Sequence, residues 1–261
     1  MLPYISLQSF SLGPLTIQVW GLMVGSGIVL ATAMAAWLAK RRGLSAQAVW
    51  DMSAVIVLGA FIVARLFHVF LYEPSYYFGH PWEMLKIWHG GWSWMGGMVG
   101  GFATAFWYLK KKKLDVYAYA DCLAFGLPFG IFLGRLGCFL IHDHPGTATH
   151  FFLGVQYPDG IIRHDHGLYL SIEGLLLAAT FLLLETKPWK RTPQARGGVG
   201  GVGGVAGSYV SAFLLLDGLT RLLLDFLRIN DVRYLGLTPA QYVGIVMIGG
   251  GGWMMWKMRK K

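Results

Sequence analysis

The stretch IQVWGLMVGSGIVLATAMAAWLAKRR, residues 17–42, decides the fold. Residues 17–39 carry no charge, and the next three, Lys40, Arg41 and Arg42, are all basic. At 1.5 Å per residue a helix over the uncharged part is about 34 Å long, enough to cross a hydrocarbon core of about 30 Å. Six more stretches of this kind follow, at 49–71, 92–109, 117–138, 168–184, 209–227 and 240–256. The whole chain of 261 residues is 55% hydrophobic and only 13% charged, well below the charged fraction of soluble domains. The expectation is an all-α integral membrane protein of about seven transmembrane helices, forming a single polytopic domain over residues 1–261. No Lys or Arg precedes residue 40, so the first segment lacks the basic start of a cleavable signal peptide and is expected to stay in the mature protein.

Charge placement orients these helices. The net charge is +9, from 22 basic and 13 acidic residues. In a soluble protein such an excess would suggest nucleic acid. Here fifteen of the 22 basic residues fall after odd-numbered helices: Lys40, Arg41 and Arg42; Lys110 to Lys113; Lys187, Lys190, Arg191 and Arg196; and Lys257, Arg259, Lys260 and Lys261. By the positive-inside rule these clusters are cytoplasmic, with the N-terminus outside and the C-terminus inside. Nucleic acid is not expected as a partner, and no phosphate-loop or dinucleotide fingerprint calls for a cofactor. The glycine repeat at 197–205 reads as a flexible linker. Cys122 and Cys138 read as small buried hydrophobes.

The informative groups are those a membrane should not tolerate. An ionisable side chain at that depth is costly unless it faces a polar interior, so each marks a candidate site. Asp217, Arg221, Asp225 and Arg228 are spaced to share one stripe of the sixth helix, with opposite charges as neighbours. Glu173, Arg65 and Arg135 come from other helices. An interhelical ion-pair network is one explanation. A pocket for an anion is the other, since arginine's planar fork suits a phosphate, and a phospholipid headgroup is the anion available there. Guanidinium charge would also make that phosphate a better leaving group.

An incoming nucleophile then needs a base, and the long outer connection after the fourth helix holds HDH twice, at His142, Asp143, His144 and at His164, Asp165, His166. A histidine beside a carboxylate suits proton removal near neutral pH. The two HxH pairs also admit a metal reading, but no cysteine pair or helical ligand spacing supports it, and no metal is expected. The connection at 72–91, rich in Trp and Tyr, is expected to lie at headgroup level and to form a short interfacial helix.

At this point the chain resembles the prolipoprotein diacylglyceryl transferases. The likeness rests on GPLTIQVWGLMV (13–24), WHGGWSWMGGMVGG (88–101), PFGIFLGRLGCFLIHDHPG (128–146), RHDHGLY (163–169) and GLTRLLLDFLR (218–228), in order and on the corresponding helices. The resemblance implies a multi-pass protein of the bacterial inner membrane, with its site toward the outer leaflet. It would move a diacylglyceryl group from phosphatidylglycerol to the lipobox cysteine of a preprolipoprotein signal peptide, leaving a thioether and glycerol phosphate. It further implies that Arg135 and Arg221 hold the phosphate, that Gly134, Gly137 and Gly146 shape the site, and that Asp143 and Asp225 stand where the family has glutamate. Met95, Gly96 and Gly97 fall on the family's His-Gly-Gly, while Cys138 and Ile141 replace its signature asparagines and Leu170 an acid. Met95 cannot accept a proton. The base is then one of His142, His144, His164 and His166, or was never that histidine. Alternatively the chain binds a phospholipid without this transfer, or passes it to another acceptor. A seven-helix transporter is a weaker rival, because no internal repeat is evident.

Overall fold

The computed structural model describes residues 1–186, 207–229 and 232–260. Every apolar stretch forms a helix: α1 (Val19–Arg41), α2 (Ala46–Phe67), α4 (Trp94–Lys111), α5 (Val116–Ile141), α6 (His166–Thr186), α7 (Ser208–Leu224) and α8 (Pro239–Arg259). Among the described residues four helical segments, Val19–Arg41, Ala46–Tyr72, Val116–Ile141 and His166–Glu185, are long and apolar enough to cross a membrane. The fold is thus mostly helical, and not purely so. Two small sheets accompany the helices: a hairpin of β1 (Ser9–Leu12) and β2 (Leu15–Gln18), and a three-stranded sheet of β3 (Pro145–Ala148), β4 (Val155–Gln156) and β5 (Ile162–Asp165) in the order β3-β5-β4. The basic cluster Lys187, Lys190, Arg191 and Arg196, the repeat at 197–205 and Lys261 lie outside the described residues.

Two compact units are distinguished, Ser45–Tyr119 and Met1–Leu44 with Ala120–Lys261. In the first, α2 packs along α4 through small residues. A Cβ on Gly100 would stand 2.6 Å from the Gly59 carbonyl oxygen, and one on Gly96 would stand 2.7 Å from that of Val63, so neither position admits a side chain without separating the helices. The outward residues Leu58, Ile62 and Phe102 are 63%, 60% and 73% exposed, an apolar exterior suited to lipid rather than water. Between these helices, residues 72–91 form the six-residue α3 (Pro74–Gly79) and two 3-10 turns.

In the second unit, backbones approach equally closely. A Cβ on Gly27 of α1 would stand 2.9 Å from the Gly130 carbonyl of α5, one on Gly174 of α6 would stand 2.7 Å from the Phe132 amide of α5, and one on Gly218 of α7 would stand 2.9 Å from the Gly244 carbonyl of α8. The helix ends are locked by a charged cluster that the sequence pattern did not announce. Arg42 Nη1 donates to Asp121 Oδ2 at 2.9 Å, its Nη2 lies 4.0 Å from Glu185 Oε2, and the Tyr209 hydroxyl donates to Glu185 at 2.9 Å. Asp121 also accepts the Val210 amide at 3.0 Å.

The stripe expected on the sixth helix is shorter than its spacing implied. α7 ends at Leu224, Asp225 opens a 3-10 turn, and Arg228 is extended. Two of the last carbonyls of α7 are satisfied from outside the helix: Leu222 accepts from Gln241 Nε2 at 3.1 Å and Leu224 from His166 Nε2 at 2.8 Å. Asp225 is claimed by the hydroxyl of Thr238, which also caps α8 in a capping box with Gln241.

Candidate functional site

The two HDH tripeptides are brought together by strand pairing, with Pro145 opposite Asp165 across β3 and β5 and the His166 amide donating to the His144 carbonyl at 3.2 Å. Each histidine then finds a partner other than the simple neighbour in sequence, His144 excepted. His142 Nδ1 lies 2.7 Å from Asp165 Oδ2. Asp165 is 1% exposed, and it also accepts the Tyr157 hydroxyl at 3.0 Å and the Leu168 amide at 3.0 Å. Burial, and then the charge of Asp165, push the Tyr157 phenol upward, so it stays a donor. Tyr4 stacks on His142 with ring centroids 4.2 Å apart, and Nε2 of His142 is buried without a hydrogen-bond partner. His142 therefore sits in an aromatic box, not on a solvated loop.

His144 binds Asp143 directly through Nδ1. That bond, followed by one to Cys138, pushes the His144 imidazole up to about 9, so it carries a proton at neutral pH. His164 Nδ1 lies 2.6 Å from the Tyr169 hydroxyl, and burial holds its imidazole below the ordinary range. Burial thus favours the neutral, proton-accepting form of His164.

Arg135, near the end of α5, faces these groups. Among the described residues it makes no hydrogen bond or ion pair, yet it lies within electrostatic reach of Arg221, Arg228 and Asp143. Arg221 Nε is 2.6 Å from Asp217 Oδ2, and Arg228 Nη1 is 3.5 Å from Asp225 Oδ1. Glu173 adds a carboxylate near Asp217, Arg221 and Arg135. Two of three neighbouring cations thus have their own acids, and the third has its fork free.

Glycines hold the cluster together. Gly146 bridges Arg228 backbone to backbone, and a Cβ there would stand 2.9 Å from the carbonyls of both His164 and Leu227. At Gly137 a Cβ would stand 2.8 Å from Met23 Cβ, so α5 meets α1 there; at Gly134 the nearest atom would be 3.9 Å away, and packing does not demand glycine.

Arg65 corrects an expectation. In the Ser45–Tyr119 unit its guanidinium donates to five carbonyls, those of Met84 (3.2 Å), Gly90 (2.5 Å), Gly91 (3.1 Å), Glu83 (2.7 Å) and Lys86 (3.4 Å). An arginine has five N–H donors, so none is spare for a phosphate. Its task is to bind residues 83–91 to α2. Met95 is 42% exposed on the first turn of α4, Gly96 is fixed by packing on α2, and Gly97 has its nearest neighbour at 3.8 Å. A cavity of about 330 Å³ in this unit, lined by His68, Glu73, Tyr76, Tyr77, Glu83 and Gly91, had no counterpart in the sequence reading, because its walls come from short helical pieces and turns too brief to show a period.

Apolar helices of membrane-crossing length, with ionisable side chains clustered beside an imidazole-rich loop, define a polytopic membrane protein. The family model of the prolipoprotein diacylglyceryl transferases matches residues 8–257, and the chain belongs to that family. It is 31% identical to the phosphatidylglycerol–prolipoprotein diacylglyceryl transferase of Bordetella parapertussis, over 95% of this chain and 94% of that one. The proteins of the same name from Desulfotalea psychrophila (30% identity, 100% and 96% covered) and Aeromonas salmonicida (32%, 97% and 90%) are similarly related.

Proposed function

We infer that this chain transfers a diacylglyceryl group from phosphatidylglycerol to the cysteine thiol of a prolipoprotein. The observation that carries this reading is Arg135: a cation near the end of an apolar helix, without an acid of its own and close to two further arginines. A phosphodiester placed there would complete the charge balance of the cluster. The acceptor sulfur attacks the glyceryl carbon, the carbon–oxygen bond to phosphate breaks, and its electron pair passes to the phosphate oxygen. Arg135 and Arg221 offset that developing charge, with Arg228 supporting them and Asp225 holding Arg228. Gly146 lets β3 meet the segment carrying Arg228, Gly137 seats α5 with Arg135 against α1, and Gly134 leaves open space beside Arg135. Asp143 pairs with His144, and His164 or His142 takes the thiol proton in place of the histidine that Met95 displaces. In this reading Met95, Gly96 and Gly97 give the Ser45–Tyr119 unit a lipid-contacting surface at the start of α4.

The same reading sets the chain in the bacterial inner membrane as a single polytopic domain of seven spans. Its N-terminus and the loop 139–167 lie outside, and Lys40, Lys110 to Lys113 and Lys257 lie on the cytoplasmic side. The lipid then enters sideways from the outer leaflet.

The test supplies purified protein with phosphatidylglycerol and a lipobox peptide, and looks for the mass of the diacylglyceryl thioether. Transfer that survives loss of both Arg135 and Arg221 removes the phosphate role. A protein that retains the lipid but yields no thioether is a binder only.

A further inference from the structure

We propose that the cavity of the Ser45–Tyr119 unit binds the headgroup of a zwitterionic phospholipid, its primary ammonium held by Glu73, Tyr77 and His68 and its phosphate turned to Lys86. The inference does not depend on the transferase reading, and its lipid is not the donor placed at Arg135.

The cavity, of about 330 Å³, is large enough for a small polar group. It lies where an apolar span ends. Ala46–Tyr72 is long and apolar enough to cross a membrane, His68 belongs to its last turns, and Glu73 is the first residue beyond it. The end of the span widens into a π turn over His68–Tyr72, a form often met at functional sites. Trp82 and Trp88, on the chain that follows, are 77% and 73% exposed, and tryptophan concentrates at the membrane–water interface. A lipid headgroup is the ligand available at that depth.

Three acceptors meet in the cavity wall. Nε2 of His68 stands 3.9 Å from Glu73 Oε1, too far for a hydrogen bond between them and right for one nitrogen bonded to both at about 2.9 Å. Tyr77 is only 6% exposed and lines the cavity, yet among the described residues its hydroxyl makes no hydrogen bond. A primary ammonium carries three donors and is satisfied by three such acceptors. A trimethylammonium would instead need open aromatic faces. Here the Arg65 guanidinium lies over the Tyr77 ring at 5.1 Å and His80 stacks on Tyr76 at 5.0 Å, so those faces are already engaged. Gly91, at φ 78, keeps the wall open, because a Cβ there would collide with His68 Nε2.

Charge decides which headgroup fits. Glu73 and Glu83 bring two carboxylates to the wall, and Arg65 and Lys86 stand beside them as two cations. Arg65 spends its donors on carbonyls, whereas Lys86 Nζ binds Glu83 and its side chain is 39% exposed, within reach of a second anion. These formal charges balance. A lone cation or a lone anion would upset them, and a zwitterion preserves them, with its ammonium at Glu73 and its phosphate at Lys86. A glycerol headgroup brings only the negative charge of its phosphate beside two carboxylates, and offers Glu73 no cation. The bound headgroup links the end of α2 to the start of α3 and to residues 83–86, adding to the hold of Arg65 on this segment.

The test uses the full-length protein in detergent, with native mass spectrometry reading the lipid retained. One dioleoylphosphatidylethanolamine per chain is expected, held about tenfold more tightly than dioleoylphosphatidylcholine. Glu73→Gln and Tyr77→Phe should each weaken retention about tenfold. Both should leave the lipid-free unfolding midpoint unchanged, since the Glu73 side chain is 54% exposed and phenylalanine keeps the ring beneath Arg65. Arg135→Ala should retain the lipid as the unaltered protein does, and an excess of dioleoylphosphatidylglycerol should not displace it. O-phosphorylethanolamine at millimolar concentration should compete, because recognition lies in the headgroup. Equal retention of dioleoylphosphatidylcholine, or retention untouched by both substitutions in the cavity, overturns the site. Failure of O-phosphorylethanolamine to compete puts the binding in the acyl chains and overturns the headgroup assignment. A lysine-bearing peptide that displaces the lipid at lower concentration than O-phosphorylethanolamine overturns the lipid as occupant in favour of a protein amine.

Discussion

At the scale of single residues, Arg135 and Arg65 show how one side chain in one kind of setting serves opposite ends. Both are arginines in apolar helices, and both satisfied the same sequence criterion. Arg65 spends its fork on the carbonyls of residues 83–91, which come from turns without periodicity and so could not be anticipated. Among the described residues Arg135 has no such partner. Replacing Arg135 by alanine should therefore lower transfer by about 10²–10³ while leaving the thermal unfolding midpoint nearly unchanged, and lysine should not restore the rate, because it lacks the planar fork. Turnover by mass spectrometry and a melting curve on the same sample check both halves. His164 gives a pH prediction. Burial holds its folded-state imidazole below the ordinary value of 6.5, so the unfolded chain takes up a proton first as pH falls. Its contribution to stability is present above about 6.5 and is lost as pH drops toward the lower folded value. The acid-side fall in the midpoint should be shallower in His164→Gln, and an unchanged fall would contradict the assignment.

At the scale of elements, the helices were legible because the hydrocarbon thickness imposes a run of about 20 apolar residues, a pattern that survives without knowledge of neighbours. Their ends were less so. The spacing of Asp217, Arg221, Asp225 and Arg228 presumed a helix continuing to Arg228, but Thr238, Gln241 and His166 satisfy the terminal groups of α7 and stop it at Leu224. The HDH repeats were visible as chemistry, and their pairing was not: that His142 meets Asp165 and not Asp143 depends on the register of β3 against β5. Gly146 is the point where that sheet touches the segment carrying Arg228. Gly146→Ala places a methyl 2.9 Å from two carbonyls, so the strand and the 3-10 turn must separate. Transfer should fall at least about tenfold through displacement of Arg228, with the helical circular dichroism retained; full activity would show that Arg228 need not be held there.

At the scale of the molecule, a charge that reads as topological in the sequence can also hold the fold. Arg42 was counted as a topological charge, yet its side chain is 5% exposed and bound to Asp121, with Glu185 and Tyr209 beyond. Arg42→Ala leaves the buried Asp121 without its cation and Glu185 with Arg41 alone at 3.9 Å, and should cost about 3–5 kcal/mol, read as a large drop in the unfolding midpoint with little change in the catalytic constant of the surviving folded fraction. The pairing also bears on biosynthesis. Arg42 precedes Asp121 by 79 residues, so the guanidinium is made long before the acids that bind it. The cluster is therefore a clasp that shuts only after the segments between its parts exist, and assembly of the bundle ends where its chain began.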